Sequence, residues 1–180
     1  MNLNNIRKEL LVKRNELTSE YIKEKSLKMT EDIMNLDIYK KEKYLYLYSP
    51  VNNEIDTNYL IINALKDNKI VSLPIILSQG DMVFVQINKS TIFKKNKYKI
   101  LEPLLDNKNI IDQPGLMIVP LVGYYNSNVR IGYGKQYYNN YLSNRQKTIY
   151  TIGVGYKFQK IDDLDLVDER DIHLNEIRAY

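Results

Sequence analysis

Arg130-Ile131-Gly132-Tyr133-Gly134-Lys135-Gln136-Tyr137-Tyr138-Asn139-Asn140-Tyr141 brings a guanidinium, paired glycines, an ammonium and a run of tyrosines into one short segment. That set of residues suits phosphate. Glycines let backbone N–H groups close on an anion, and Arg130 and Lys135 add charge-assisted hydrogen bonds to its oxygens. The same Gly-x-Gly also opens many tyrosine-rich helices as ordinary loop chemistry, so the residues alone leave both readings open. At helical spacing Tyr138 and Tyr141 read as packing residues first. The chain has no cysteine and one histidine, His173, which removes thiolate catalysis, thiolate metal sites and a histidine-built zinc centre. Any metal would be a hard cation held by oxygens. His173 has no orienting partner near it in sequence and reads as a surface or interface residue. Taken singly, Arg7 is a solvated helix arginine, Glu54 an exposed turn acid and Asp171 one tail acid among many.

The elements that must position these residues follow from hydrophobic period. Leu3, Ile6, Leu10, Leu11 and Leu17 predict an amphipathic helix whose charged residues are Arg7, Lys8, Lys13 and Arg14. Thr18 or Ser19 caps a second helix running to Leu36, making an N-terminal helical hairpin. Residues 43–48 alternate as a strand, a helix capped by Asp56 or Thr57 follows to Lys66, and 70–76 reads as a buried strand with Pro74 marking its end. Asp81–Ile87 predicts an antiparallel strand, 88–115 loops, 116–119 a central strand, 121–129 a polar loop, 135–144 a helix, 149–154 a buried strand and 162–171 an acidic segment. Strands alternating with helices predict a single three-layer α/β domain, residues 1–180, with a mostly parallel central sheet. In such a fold, loops after strand ends hold ligands, and Glu54 and Arg130 with its neighbours fall in such loops.

With 180 residues, 44% hydrophobic and 27% charged, the chain can bury one real core. No run approaches the roughly 20 apolar residues of a membrane span, and the amino terminus lacks a signal-peptide core, so a cytoplasmic protein without a membrane partner is expected. The net charge of +4 is compatible with an anionic ligand. Its densest basic cluster, 94–99, reads as a solvated loop or a contact for RNA or an acidic ligand tail; no RNA-recognition signature accompanies it, so no nucleic-acid partner is expected. A monomer is expected.

Taken in order, these segments resemble the 5-formyltetrahydrofolate cyclo-ligase family, also called methenyltetrahydrofolate synthetases. The similarity spans nearly the whole chain. It runs from Arg7 through Asn53-Glu54-Ile55-Asp56-Thr57, Lys69-Ile70-Val71-Ser72-Leu73-Pro74, Asp81-Met82-Val83-Phe84 and Ile100-Leu101-Glu102-Pro103 to Val119-Pro120 and the 130–138 segment, ending at Tyr150-Thr151-Ile152 and Asp171-Ile172. The resemblance implies ATP- and Mg2+-dependent conversion of a reduced folate, 5-formyltetrahydrofolate, into 5,10-methenyltetrahydrofolate. The ATP terminal phosphoryl would pass to the formyl oxygen, and ring closure would expel phosphate. By the same resemblance Arg7, Arg130, Ile131, Gly132, Tyr133, Gly134, Lys135, Gln136, Tyr137 and Tyr138 would bind ATP, with Arg130 and Lys135 acting on the transferred charge. Glu54, Tyr133, Gly134, Lys135, Gln136 and Tyr137 would hold the folate. Asn139 and Asp171 would hold magnesium.

The chain departs from the family pattern in four places. Leu3 replaces a lysine before the first-helix arginine, and Tyr124-Tyr125 replaces Phe-Asp. Gln136 replaces a loop glycine, and Asn139 replaces an aspartate. An amide still coordinates Mg2+ through oxygen but brings no charge, so weaker metal binding is expected there. A relative that binds nucleotide or folate with little turnover is the alternative these departures suggest.

Overall fold

Two amphipathic helices open the chain, α1 (Leu3–Asn15) and α2 (Ser19–Asn35), in a computed structural model that describes residues 3–78, 80–126, 128–162 and 172–180. Thr18 caps α2, its hydroxyl accepting from the Tyr21 N–H at 3.2 Å. A short α3 (Asp37–Lys41) leads into β1 (Tyr44–Tyr46), α4 (Asn58–Lys66), β2 (Ile70–Ser78) and β3 (Asp81–Gln86). Next come β4 (Phe93–Lys95), β5 (Leu101–Pro103), β6 (Ile110–Ile111) and β7 (Gly115–Pro120). The chain finishes with β8 (Gly123–Tyr125), β9 (Val129–Ile131), α5 (Tyr137–Leu142), β10 (Ile149–Gly155), β11 (Lys160–Ile161), β12 (Ile172–His173) and β13 (Glu176–Ala179). Both predicted caps of α4 are used differently: Asp56 accepts from the Asn58 N–H at 2.8 Å, while the buried Thr57 hydroxyl donates to the Tyr48 carbonyl at 2.5 Å.

The main sheet has seven strands in the order β13-β10-β7-β1-β2-β3-β6, parallel from β13 to β2 and antiparallel at β3 and β6. Side-chain alternation in its central strands divides the core. Leu45, Leu47, Leu116, Ile118, Ile152 and Val154 face one side, where Met29 and Ile33 of α2 and Leu60, Ile61 and Ala64 of α4 cover them. Tyr46, Met117, Val119, Phe84 and Ile149 face the other, against Tyr141 and Leu142 of α5. This is the expected α/β arrangement with a mostly parallel sheet between helical layers. Helix α1 serves a different cluster, in which Leu10 packs with Val122, Ile131 and Ile161. No helix among the described residues is long and apolar enough to cross a membrane.

Four expectations need correction. Pro74 does not end its strand, because β2 continues to Ser78. The Ser72 carbonyl accepts from Leu47 N–H on the β1 side and Val71 accepts from Ile87 on the β3 side, so alternation turns the Pro74 nitrogen toward β1, whose ladder has already ended at Ser72. Two residues on, the Ile76 N–H on that vacated side finds the Glu102 carboxylate at 3.0 Å. The predicted loop 88–115 contains the β4–β5 ribbon and edge strand β6, whose two- and three-residue lengths carry too little alternation to read. The predicted polar loop 121–129 is largely an antiparallel hairpin, β8–β9, flanked by β11 and β12 in a second sheet. Arg130 and Ile131 therefore lie on a strand and not in a loop. Helix α5 is shorter than the expected 135–144. Most of the acidic segment, including Asp171, lies outside the described residues.

Candidate active site

The β8–β9 hairpin explains how Arg130 reaches the end of the central strand. The chain leaves β7 at Pro120, turns out through β8, and returns along β9 with Arg130 opposite Tyr124. The Arg130 Nε then donates to the Pro120 carbonyl at 2.7 Å. Its guanidinium carbon lies 4.9 Å from the centre of the Tyr138 ring, a cation–π contact of about 1 to 2 kcal/mol for a desolvated pair. Arg130 is 6% exposed. Gly132 leaves room for it: a Cβ there would stand 2.6 Å from an Arg130 Nη, so any side chain would push the guanidinium away.

Arg7 comes from α1 to the same turn, its Nε donating to the Gly132 carbonyl at 2.8 Å and one Nη to Asn4 at 3.0 Å. Gly134 adopts φ +80° beside it. Lys135 is exposed at the cleft. Gln136 takes the left-handed conformation, φ 61° and ψ 2°, as the residue before α5, which is backbone that favours glycine. Asn140 of α5 donates to the Gly80 carbonyl at 2.9 Å, tying the helix to the β2–β3 turn. Tyr137 reaches across to Tyr98 of the β4–β5 ribbon, hydroxyl to hydroxyl at 3.4 Å.

Glu54 is buried, 5% exposed, and is not the exposed turn acid that its sequence surroundings suggest. Its Oε2 accepts from the Val51 N–H at 3.0 Å and its Oε1 from the Tyr133 hydroxyl at 3.0 Å. Arg14 approaches Oε1 at 3.9 Å and donates to the Tyr133 oxygen as well. Burial pushes the Glu54 carboxyl up, against the opposing pull of Arg14, the Val51 amide, Tyr133 and Arg130. Burial likewise pushes the Tyr133 hydroxyl up to about 12, so it stays a neutral donor.

One cleft of about 330 Å3 is lined, among others, by Arg7, Glu54, Arg130, Gly132, Tyr133, Gly134, Lys135, Gln136, Tyr137, Tyr138 and Asn139. Of the residues 130–139, Ile131 does not line it. Its side chain is fully buried beneath the cleft with Leu10 and Val122, where it can hold the turn but touch no ligand. Tyr138 both packs against the core and faces the cleft, while Tyr141 is core alone. His173 is exposed. Sequence reasoning missed the apolar wall of Tyr48, Pro74, Ile76, Met82 and Ile100, and it missed Arg14. A signal for Arg14 existed: it lies two helical turns from Arg7, on the face that also carries Leu10. The arrangement can bind phosphate on cations and backbone around Gly132 and Gly134, and can hold a flat, N–H-bearing ring against Glu54 and the apolar wall.

The model of the 5-formyltetrahydrofolate cyclo-ligase family matches residues 2–179. A 5-formyltetrahydrofolate cyclo-ligase of Mycoplasma genitalium is 34% identical over 158 residues, covering 87% of this chain and 86% of the relative. One from Mycoplasma pneumoniae is 30% identical, covering 98% of both. Among solved structures, the 5,10-methenyltetrahydrofolate synthetase of Aquifex aeolicus superimposes with a TM-score of 0.82 at 27% identity, over 98% of this chain and 89% of that one. The chain belongs to the 5-formyltetrahydrofolate cyclo-ligase family.

Proposed function

We propose that this protein converts 5-formyltetrahydrofolate into 5,10-methenyltetrahydrofolate with ATP and Mg2+, releasing ADP and phosphate. The observation that supports it is one cleft holding both halves of that chemistry: cations around paired glycines, and a buried carboxylate on an apolar wall. When bound, ATP supplies the phosphoryl group that turns the formyl oxygen into a leaving group, and the metal neutralises charge on the phosphates. The chain's own part is positioning and electrostatics. Arg130, fixed by the Pro120 carbonyl and the Tyr138 ring, sets its positive charge at the edge of the cleft, where it would stabilise the charge that develops on the transferred phosphoryl. Arg7 and Lys135 bracket the same turn and share that charge. Glu54 accepts N–H groups of the pteridine and so sets where the formyl group lies. The tyrosines and Ile76, Met82 and Ile100 exclude water, which would otherwise compete as phosphoryl acceptor.

The metal donors fit in part. Among the described residues no three of His, Cys, Asp and Glu gather to hold a metal. Asn139 borders the cleft and would offer its amide oxygen, and Asp171 is the second ligand we propose from its place in the family pattern. Magnesium would then be held mainly by nucleotide phosphates, as it is at many ATP sites. The test is product formation from 5-formyltetrahydrofolate, followed by the methenyl chromophore alongside ADP release. Equal amounts of the two products at about 1 per second or faster support the proposal. Tight binding of both substrates with no product would establish the binding-only relative that Gln136 and Asn139 suggest.

A further inference from the structure

Arg14 is 1% exposed and joins four segments that converge on the cleft. It extends from α1, its Nε donates to the Asn52 carbonyl at 2.7 Å, one Nη donates to the Leu121 carbonyl at 3.1 Å, and the other donates to the Tyr133 hydroxyl oxygen. An arginine has no acceptor, so the direction of this last bond is fixed. The Tyr133 oxygen must accept from Arg14, and its single proton is left to point at Glu54 Oε1, 3.0 Å away. With the Val51 N–H on Oε2, each carboxylate oxygen has spent one acceptor site on the protein and keeps one for the cleft.

We propose that Arg14, acting through the Tyr133 hydroxyl, is the positioning residue that keeps Glu54 ionised and turned toward the cleft, and thereby selects folates bearing N–H donors on the pteridine edge. This rests on the folate reading given above. Arg14 itself is buried and does not line the cleft; its guanidinium carbon lies 5.6 Å from the centre of the Tyr133 ring. The other groups whose charge acts with that of Glu54 are Arg130 from β9, Tyr48 beyond β1, Tyr138 from α5 and Tyr156 beyond β10. Of the charged ones, Arg14 opposes the burial of the carboxylate more strongly than Arg130. The Tyr48 hydroxyl is already committed, donating to the Ile55 carbonyl at 2.7 Å, and that of Tyr156 donates to the Asn53 carbonyl at 3.0 Å. Neither supplies the proton that Tyr133 gives.

The experiment compares the full-length protein with Tyr133→Phe, Arg14→Gln and Arg14→Lys. Glu54 ionisation is followed by 13C NMR of the glutamate δ-carbon, assigned with Glu54→Gln, and 5-formyltetrahydrofolate and ADP are titrated separately across pH. Loss of the hydroxyl or of the charge raises the Glu54 titration midpoint. Because the ionised carboxylate is the form that binds, folate binding then fails at a higher pH than in the wild type. At neutral pH folate affinity falls about tenfold in Tyr133→Phe, about 1.4 kcal/mol, and further in Arg14→Gln, whereas ADP affinity changes less than about twofold in Arg14→Gln and Arg14→Lys, where Tyr133 is intact. Raising the pH restores folate binding, and Arg14→Lys recovers part of it. An unchanged Glu54 midpoint overturns the proposal, as does a parallel, pH-independent loss of folate and ADP binding, which is the mark of a merely structural arginine. Should Arg14→Gln fail to fold, Tyr133→Phe decides. A wild type that binds no folate overturns the folate reading, and the selection proposed here with it, even where the Glu54 midpoint moves.

Discussion

Arg130 is held at Nε by Pro120 and across its face by Tyr138, and a planar guanidinium makes both contacts at once. The point charge of a lysine can make either contact, but not both together with a hand left for the cleft. Arg130→Ala and Arg130→Lys are both expected to lower kcat/KM by about 100-fold or more, with the fold intact by circular dichroism; a near wild-type Lys variant would show that charge alone suffices. At Asn139 the missing carboxylate should show in the metal. Asn139→Asp is expected to lower the Mg2+ concentration for half-maximal rate while kcat holds or rises, and a severe loss of rate would mean that the cleft is built around the amide. The family pattern pointed to Arg7, Glu54 and residues 132–139, all of which border the cleft, and to Ile131, which lies buried beneath it. Arg14 was not legible, because a helix arginine among lysines reads as solvated. Its burial depends on Asn52, Leu121 and Tyr133, and the last two lie more than a hundred positions away. The burial of Glu54 was hidden for the same reason.

Among the elements, the long apolar strands and the amphipathic helices were legible because burial on one face repeats over several turns or pleats. Strands β4, β5, β8 and β9, each of three residues, were not, since so short a strand shows hardly one period. The hairpin they hid is what carries Arg130 back to Pro120. The turn before α5 carries its own cost. Gln136 sits at φ 61° with no side-chain cap bond, and a left-handed residue with a Cβ costs about 1 kcal/mol relative to glycine. Gln136→Gly is therefore expected to raise stability by roughly 0.5 to 1 kcal/mol, offset in part by the freer unfolded chain, as read from chemical denaturation. A loss of stability would show that the glutamine side chain holds the turn through contacts that outweigh its backbone strain.

At the scale of the molecule, the C-terminal strand closes the sheet. Asp32 of α2 accepts from Arg178 at 2.8 Å and from the Tyr180 hydroxyl at 2.7 Å, fastening β13 and the chain end to the helical layer. Burial works to raise the Asp32 carboxyl, but Tyr180 and Arg178 outweigh it and hold it below its ordinary value. A carboxylate lowered on folding stabilises fully above its unfolded value of about 3.9, and that contribution is lost as pH falls through the lower, folded value. Asp32→Asn should therefore lower Tm at neutral pH, while its Tm and that of the wild type converge as pH falls through the lowered, folded value of Asp32. A constant difference across that range would mean that the carboxylate charge is not what fastens the strand. The sheet in turn holds the cleft, bringing Glu54 from beyond β1 together with Arg130 from the hairpin after β7. If that juxtaposition does what we propose, the oxygen of the formyl group must leave on phosphorus. The most direct measurement is the fate of 18O placed in the formyl oxygen of 5-formyltetrahydrofolate during turnover with ATP. The account predicts the label in the released inorganic phosphate, and label appearing in water instead would contradict it.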